Sequence, residues 1–285
     1  MIEHVMSNFR KASQKKAPLA ANTGWRYKIP FEFLRTAVDK TLAIAVVIVI
    51  WEVFPRLELI DSFLLPPFSD VIRSLLNLIT TGEIFRHFSI SISRSFIGFV
   101  IGIGIAIPLG VFMGWYSKLE EVVDPLVQAC RNSSVLALYP VFLLFFGLGE
   151  VSKMAIIIWG TIWPALLNTI SGVKNTDPLL IKAARSMGVG NFTLLYKVIA
   201  PAALPSILTG VRLSAASSIL VLVAAEMIGA NAGLGFMIFY FEERYAVPEM
   251  YAGILTMSLL GVVVNYLLVG LEKRLTGWQE KIVGD

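Results

Sequence analysis

The sequence predicts an all-α integral membrane protein with about six transmembrane helices. Hydrophobic residues make up 56% of its 285 residues, charged residues only 15%, and the mean hydropathy is +0.74. Soluble domains average about 45–50% apolar and about 25% charged residues, so this chain lacks the charged surface of a soluble protein. The apolar runs show no period-two alternation, which argues against a transmembrane β-barrel. Helices are the other structure that satisfies backbone groups in lipid.

Six apolar segments are predicted to span the membrane, because a spanning helix needs about 20 mostly apolar residues. They are residues 42–54, 96–116, 135–148, 154–173, 207–228 and 252–271. The first and third are short, and Pro140 in the middle of the third predicts a kink or an early helix end. Residues 29–42 could form an interfacial helix that leads into the first span.

The placement of basic residues predicts the orientation of the chain. With six spans and a cytoplasmic N-terminus, 18 of the 24 lysines and arginines lie inside, as the positive-inside rule requires. The chain then divides into a basic cytoplasmic tail at residues 1–40, a transmembrane domain at 41–271 and a cytoplasmic tail at 272–285. Eight basic residues precede any long apolar run, which is unlike a signal peptide.

One polar segment, residues 174–205, separates the fourth and fifth predicted spans. Asp177 is a good N-cap and Pro178 suits the first helical position. Gly188 suits a left-handed C-terminal stop. These signals predict a short helix over residues 179–187.

After this helix, a second short helix is predicted at residues 191–198, and Pro201 and Pro205 are predicted to break the chain before the fifth span. Four small or apolar residues of the first short helix share one face by their spacing: Leu180, Ala183, Ala184 and Met187. Lys182 and Arg185 flank that face with positive charge. A short capped helix of this kind suits docking into a groove of another protein; an interfacial helix resting on membrane lipid is the alternative.

The same segment resembles the EAA loop of the membrane subunits of binding-protein-dependent ABC importers. That family has Glu-Ala-Ala, three residues, Gly, nine residues, then Ile-x-Leu-Pro. The matching residues here are Lys182-Ala183-Ala184, Gly188 and Val198-Ile199-Ala200-Pro201. Lys182, Val198 and Ala200 depart from the pattern, and a basic residue in the first place is familiar from the nitrate, sulfonate and taurine branch. Other stretches that resemble this branch follow in order: residues 63–67, 146–153, 208–212, 223–226 and 233–235.

This resemblance covers about residues 42–280 and implies the type I ABC permease fold in a bacterial inner membrane, with both termini cytoplasmic. The implied partners are two ABC ATPase subunits, a second permease copy in a homodimer and an extracytoplasmic substrate-binding protein. The helix at 178–188 would be the coupling helix that seats in an ATPase. The residues expected to form this ATPase-coupling site are Pro178, Leu180, Lys182, Ala183, Ala184, Arg185, Met187, Gly188 and Pro201. The implied solute is small, and an anion such as a sulfonate, taurine or nitrate.

No catalytic, metal or cofactor site is predicted in the chain itself. It lacks a Gly-x-x-x-x-Gly-Lys-Ser/Thr loop, so ATP and Mg²⁺ are expected in the partner ATPase subunits. His4 and His87 have no second ligand at metal-binding spacing, and no nucleic-acid partner is expected. A membrane-embedded enzyme is not favoured, because the predicted spans hold no paired carboxylates, no His cluster and no nucleophile with its base. A stand-alone carrier or channel is the alternative function, although the internal repeat common in carriers is absent.

Polar residues in the predicted spans are candidates for the solute pathway. Glu226 near the outer end of the fifth span is a gate or pathway residue, since an intramembrane carboxylate is functional by default, or a structural partner of a neighbouring helix. Arg94 either contacts the solute or snorkels to the outer interface. Gly98 and Gly102 predict a close helix contact. Four further residues either line a cavity or serve helix packing: Ser214, Ser217, Ser218 and Asn168.

Overall fold

The computed structural model describes residues 31–276, with side chains from residue 42 onward. That part of the chain contains eleven α-helices and no strand. The helices are α1 (Phe31–Arg56), α2 (Phe68–Thr80), α3 (Glu83–Trp115), α4 (Ser117–Asn132), α5 (Val135–Phe146), α6 (Glu150–Lys174), α7 (Pro178–Ser186), α8 (Asn191–Leu194), α9 (Ala200–Gly229), α10 (Leu234–Glu243) and α11 (Val247–Leu275). A π-helical turn, Leu195–Ile199, joins α8 to α9.

The chain divides into two units, residues 1–50 and residues 51–285. The described part of the first unit is the beginning of α1, which runs unbroken from Phe31 through the first predicted span. Residues 29 and 30 of the predicted interfacial helix lie outside the described residues. The predicted N-terminal tail up to residue 30 and the end of the C-terminal tail, beyond residue 276, do so too. The second unit holds all the remaining helices and both candidate sites.

Four of the described helical segments are long and apolar enough to cross a membrane: α3, α6, the continuous stretch Asn191–Gly229 that ends in α9, and α11. The pair α4 and α5, bent by 96° at its junction, makes a fifth if it forms a single span. Helix α1 contains the first predicted span but is not among these four. The all-helical membrane fold is confirmed, with four or five spans by this measure against the six predicted.

The 96° bend between α4 and α5 lies just before the third predicted span and not at Pro140. Helix α5 is only 12 residues long and continues through Pro140 to Phe146. The chain turns instead at Ser133 and Ser134, whose backbone is extended, and the Ser134 hydroxyl accepts a hydrogen bond from the Ala137 N–H. The predicted early helix end at Pro140 is wrong, because the two serines turn the chain and cap a new helix that runs past the proline to Phe146. A kink at Pro140 stays a prediction.

Pro201 and Pro205 do not break the chain either. Pro201 is the second residue of α9 and directly follows a π-helical turn, in which the Ala200 N–H donates to the Leu195 carbonyl; this wider turn accommodates the proline within a continuous helix. The preceding π-helical turn carries the helix from α8 into α9, so residues 191–229 are continuous. The predicted second short helix is therefore the entry of the spanning helix rather than a separate element.

Helix α6 is the most buried of the four spanning helices and packs against both α3 and α9. Glycines on α3 make the first contact close. A Cβ atom on Gly98 would lie 2.6 Å from Ile157 Cγ2, and one on Gly102 would lie 2.8 Å from Thr161 Cγ2. Small residues drive helix association in lipid by allowing this approach, so the predicted contact through Gly98 and Gly102 is confirmed.

Candidate functional site

The short helix α7 forms where its local signals predict it. It spans Pro178–Ser186, and the Asp177 carboxylate accepts a hydrogen bond of 2.8 Å from the Leu179 N–H. Gly188 follows the helix at φ +73°, a left-handed conformation that glycine adopts without strain. Both ends are thus fixed by side-chain and backbone chemistry, which makes a nine-residue helix persist outside the spans.

The exposed face of α7 is apolar and basic. Leu179 and Met187 are 70% and 76% exposed, and the side chains of Lys182 and Arg185 lie at the surface beside them. Ala184, by contrast, is only 3% exposed and packs inside the chain. The prediction that Ala184 shares an exposed face is wrong, because regular spacing defines a helix face but does not say which face the rest of the fold covers.

The remaining predicted coupling residues differ in exposure. Leu180 is about half exposed, Ala183 and Pro201 are exposed, and Pro178 begins the helix. Two aromatic residues that follow α7 and that the sequence reasoning missed, Phe192 and Tyr196, are also strongly exposed. Their spacing of four residues in a segment assigned to a helix was the available signal.

A second set of residues meets near the far end of α9 from α7. We call it the Glu226 cluster: His87, Ser91 and Arg94 of α3, Glu150 and Lys153 of α6, and Glu226 of α9. Arg94 donates to Glu226 at 2.8 Å and, through Nε and Nη2, to both carboxylate oxygens of Glu150 at 2.6 Å. Lys153 donates to Glu150 at 3.1 Å. Two cations and two carboxylates therefore balance within the cluster.

Glu226 is fully buried and has three further contacts with neighbouring donors. Ser91 Oγ lies 2.8 Å from each of its carboxylate oxygens, and the Gly235 N–H donates to it at 2.9 Å. With Arg94 this makes a buried charge that is both paired and hydrogen-bonded, the condition under which such a charge is tolerated. Arg94 is itself buried and does not snorkel.

The cluster also holds the beginning of α10. The N–H groups of Gly233 and Leu234 donate to His87 Nδ1 at 3.1 Å and to Ser91 Oγ at 2.7 Å. Together with the bond from Gly235 to Glu226, these satisfy amide groups that a helix N-terminus leaves without partners. A carboxylate at this end of a helix is also electrostatically favoured. The three α3 side chains reach the same place because positions 87, 91 and 94 share one helix face.

The glycine at 233 is required by this arrangement. Its backbone has φ +126° and ψ 164°, a region occupied almost only by glycine. A Cβ atom there would overlap the carboxylate of Glu226, 2.5 Å from Oε2. The Gly233-Leu234-Gly235 motif is thus explained by the buried carboxylate on which it rests.

Other predicted pathway residues make helix contacts. Ser214 and Ser217 donate across to carbonyl groups of α6, at Thr161 and Gly160. Ser218 contacts Ser95 of α3 at 3.1 Å, and Asn168 donates to the Pro164 carbonyl within its own helix. The structure thus brings Arg94 and Glu226 together, and leaves these four apart from them; their place in a pathway stays a prediction.

Glu150, Lys153, His87 and Ser91 were missed as site residues. Glu150 and Lys153 stood in a stretch noted only for its resemblance to a family, and the pairing of Glu150 with Arg94, more than 50 residues away in the chain, carries no local signal. His87 and Ser91 lie one helical turn apart before Arg94, a spacing that could have marked a shared polar face.

The chain thus combines helices long and apolar enough to cross a membrane with a capped, exposed helix near one end of α9 and a buried ion cluster near the other. Residues 106–277 match the family described as "Binding-protein-dependent transport system inner membrane component". The chain belongs to this family and is an ABC importer permease of the sulfonate and taurine branch.

Curated relatives support the family assignment, and a solved structure supports the fold. The "Putative aliphatic sulfonates transport permease protein SsuC" of Bacillus subtilis is 35% identical over 84% of this chain and 87% of the relative. The "Taurine transport system permease protein TauC" of Escherichia coli is 32% identical over 84% and 89%. The "Formylaminopyrimidine transport permease protein ThiX" of Halalkalibacterium halodurans is 31% identical over 86% and 97%. In fold, the chain is similar to a structure of the MetNI methionine ABC transporter, with a TM-score of 0.60 at 18% identity, covering 65% of this chain and 93% of that one.

Proposed function

We propose that this chain, in a homodimer, forms the translocation pathway of an importer driven by two separate ABC ATPase subunits. The observation that carries the proposal is helix α7, which is capped at both ends and exposes Leu179 and Met187 beside two basic side chains. An apolar centre with polar charges at its edge is the usual composition of a protein interface. An ATPase groove that receives α7 would cover this face.

Packing connects α7 to the spans. Ala184 lies in one buried cluster with Val173 at the end of α6, Leu194 of α8, and Ala203 and Ile207 of α9. Because a packed core transmits displacement rather than absorbing it, movement of α7 with an ATPase would move α6 and α9 together. Switching between two packings of these helices would open the pathway to one side and then the other.

In this proposal an extracytoplasmic binding protein delivers the solute, and the chain lies in the bacterial inner membrane with both termini cytoplasmic. The excess of basic residues on the α7 side supports that orientation. ATP and Mg²⁺ would be held by the ATPase subunits, because this sequence has no nucleotide-binding loop.

The solute we propose is a small organic anion, with an alkyl sulfonate or taurine first and nitrate as a further candidate. Permeases named for sulfonates and taurine are 35% and 32% identical to this chain. The permease named for formylaminopyrimidine is 31% identical, so an uncharged heterocycle is the second candidate. The choice between them would rest mainly with the binding protein.

Reconstitution tests the proposal. Proteoliposomes would contain the permease, with the ATPase subunits and the solute-loaded binding protein each present or omitted, and would be assayed for uptake of ethanesulfonate, taurine, nitrate and formylaminopyrimidine. We expect uptake of an organic anion only when ATP and all three proteins are present. Uptake by the permease alone, driven by a solute or ion gradient, would instead establish a stand-alone carrier.

A further inference from the structure

We infer that Arg94 and Lys153 form an anion-binding site, which the Glu150 carboxylate occupies in this structure. The oxyanion group of the solute binds in this site in place of Glu150. This inference deepens the proposed function and rests on its anionic solute. The ligand it defines is a carboxylate or sulfonate group small enough to fit beside Arg94.

Exposure distinguishes Glu150 from the other three charges. The side chains of Arg94 and Lys153 are 6% and 5% exposed and that of Glu226 is 0% exposed, whereas Glu150 is 52% exposed. Two buried cations are therefore paired with a carboxylate whose side chain is about half exposed. Glu150 is the one member of the cluster that can leave it without bringing a buried charge to solvent.

Its attachments make Glu150 exchangeable. Its carboxylate has hydrogen bonds to the side chains of Arg94 and Lys153, whereas Glu226 is also held by Ser91 and by the backbone of Gly235. Glu150 is also the first residue of α6, directly after the segment Gly147–Gly149. A change in that segment would move the Glu150 side chain without disturbing the buried part of α6.

An open cavity of about 310 Å³ lies beside this pair, lined by Ile90, Ser93, Arg94, Glu150 and Met154. A water molecule occupies about 30 Å³ of liquid volume, so a small oxyanion fits there. The cavity reaches Arg94 and Glu150, the two groups whose hydrogen bonds must open, and Ser93 is a further polar residue of its lining.

The chemistry of the two cations selects an oxyanion. The Arg94 Nε and Nη2 atoms hold two oxygens of one group at 2.6 Å each, the bidentate geometry that guanidinium offers to planar or tetrahedral oxyanions. Without Glu150 the cluster would contain two cations and one carboxylate, and an unpaired buried charge is costly. An incoming oxyanion restores both the hydrogen bonds and the balance of charge.

Equilibrium binding to the complete permease–ATPase complex in nanodiscs, without ATP or binding protein, tests the inference, with radiolabelled ethanesulfonate as the probe. Glu150→Gln removes the competing charge, and we expect ethanesulfonate to bind about tenfold tighter or more than to the wild type, since a hydrogen bond to a charged group contributes about 1.5–3 kcal/mol. The melting temperature of the variant should also rise with ethanesulfonate. That measurement remains informative if the variant is less stable.

Matched variants decide between a site and a general charge effect. Glu121→Gln, the same change at an exposed residue of α4, should leave binding within about twofold of the wild type, since distant exposed charges are screened. Adding Arg94→Gln to Glu150→Gln should abolish the gain, and an uncharged alkyl sulfone should show none.

Equal affinity in the wild type and Glu150→Gln would overturn the inference, as would a gain in Glu121→Gln or one that persists without Arg94. Because the measurement uses neither ATP nor transport, a failure here with intact ATP-driven uptake leaves the proposed function standing.

Discussion

Gly233→Ala should destabilise the permease, because it adds both backbone strain and a steric clash with the Glu226 carboxylate. The left-handed backbone at this position costs a non-glycine residue about 1–3 kcal/mol. The new methyl group would also overlap the Glu226 carboxylate, and overpacking of this kind costs about 1–3 kcal/mol. The sum is about 2–6 kcal/mol, which lowers the melting temperature of a protein this size by about 4–24 °C at about 2–4 °C per kcal/mol.

Thermal unfolding of the purified permease, followed by tryptophan fluorescence, measures this effect. Gly147→Ala is the matched control, because Gly147 also has a positive φ, +73°, but a Cβ atom there would meet nothing within 4 Å. It should therefore show the cost of backbone strain alone.

A double-mutant cycle isolates the collision. In a Glu226→Ala background the carboxylate is gone, so adding Gly233→Ala should cost no more than Gly147→Ala does. If Gly233→Ala destabilises equally with and without Glu226, the contact between the glycine and the carboxylate does not explain the motif. Equal losses in Gly233→Ala and Gly147→Ala would refute it as well.

Three further changes have defined outcomes. Gly102→Ala should lower the melting temperature of the permease, because its Cβ would lie 2.8 Å from Thr161 Cγ2. Gly104→Ala should leave it unchanged, because a Cβ there meets nothing within 4 Å. Equal effects of the two substitutions would contradict the close α3–α6 contact. Ser91→Ala removes a donor to Glu226 and an acceptor for Leu234 and should cost about 1–3 kcal/mol in the same assay; an unchanged melting temperature would contradict the anchoring role. Asp177→Ala removes the N-cap of α7 at a cost of about 1 kcal/mol to the helix, and should weaken binding of the ATPase subunits measured by titration; unchanged affinity would show that helix order is not limiting.

Local signals predicted local structure well. Asp177 and Gly188 act as the two ends of α7, because cap chemistry depends on a few adjacent residues. Glycines spaced by four residues predicted a close helix contact at Gly98 and Gly102, although not that its partner is α6. The prolines misled the prediction, because the cost of a proline depends on whether the surrounding helix can accommodate the missing amide hydrogen, and a π-helical turn directly precedes Pro201.

Long-range structure could not be predicted in this way. Arg94 and Glu226 were each singled out, but their pairing joins residues 132 positions apart and exists only after α3 and α9 pack. Ala184 was placed on the correct helix but on the wrong face, since burial is decided by the neighbouring helices. Glu150 had no charged partner within its own turn except Lys153, so nothing local indicated its bidentate contact with Arg94.

The central claim is that α7 couples the spans to an ATPase, and the most direct measurement is ATP hydrolysis by the reconstituted complex with and without the loaded binding protein. Leu179 is 70% exposed, so its docking would contribute about 1–2 kcal/mol of the roughly 1.5–3 kcal/mol for a fully buried leucine. Leu179→Asp removes this gain and places a charge in the interface. Leu119→Asp is the control, at an exposed leucine of α4 beside the Glu120–Lys174 ion pair that joins α4 to the same end of α6. The account predicts that stimulation of hydrolysis by the binding protein is lost in Leu179→Asp and retained in Leu119→Asp; full stimulation in Leu179→Asp would contradict it.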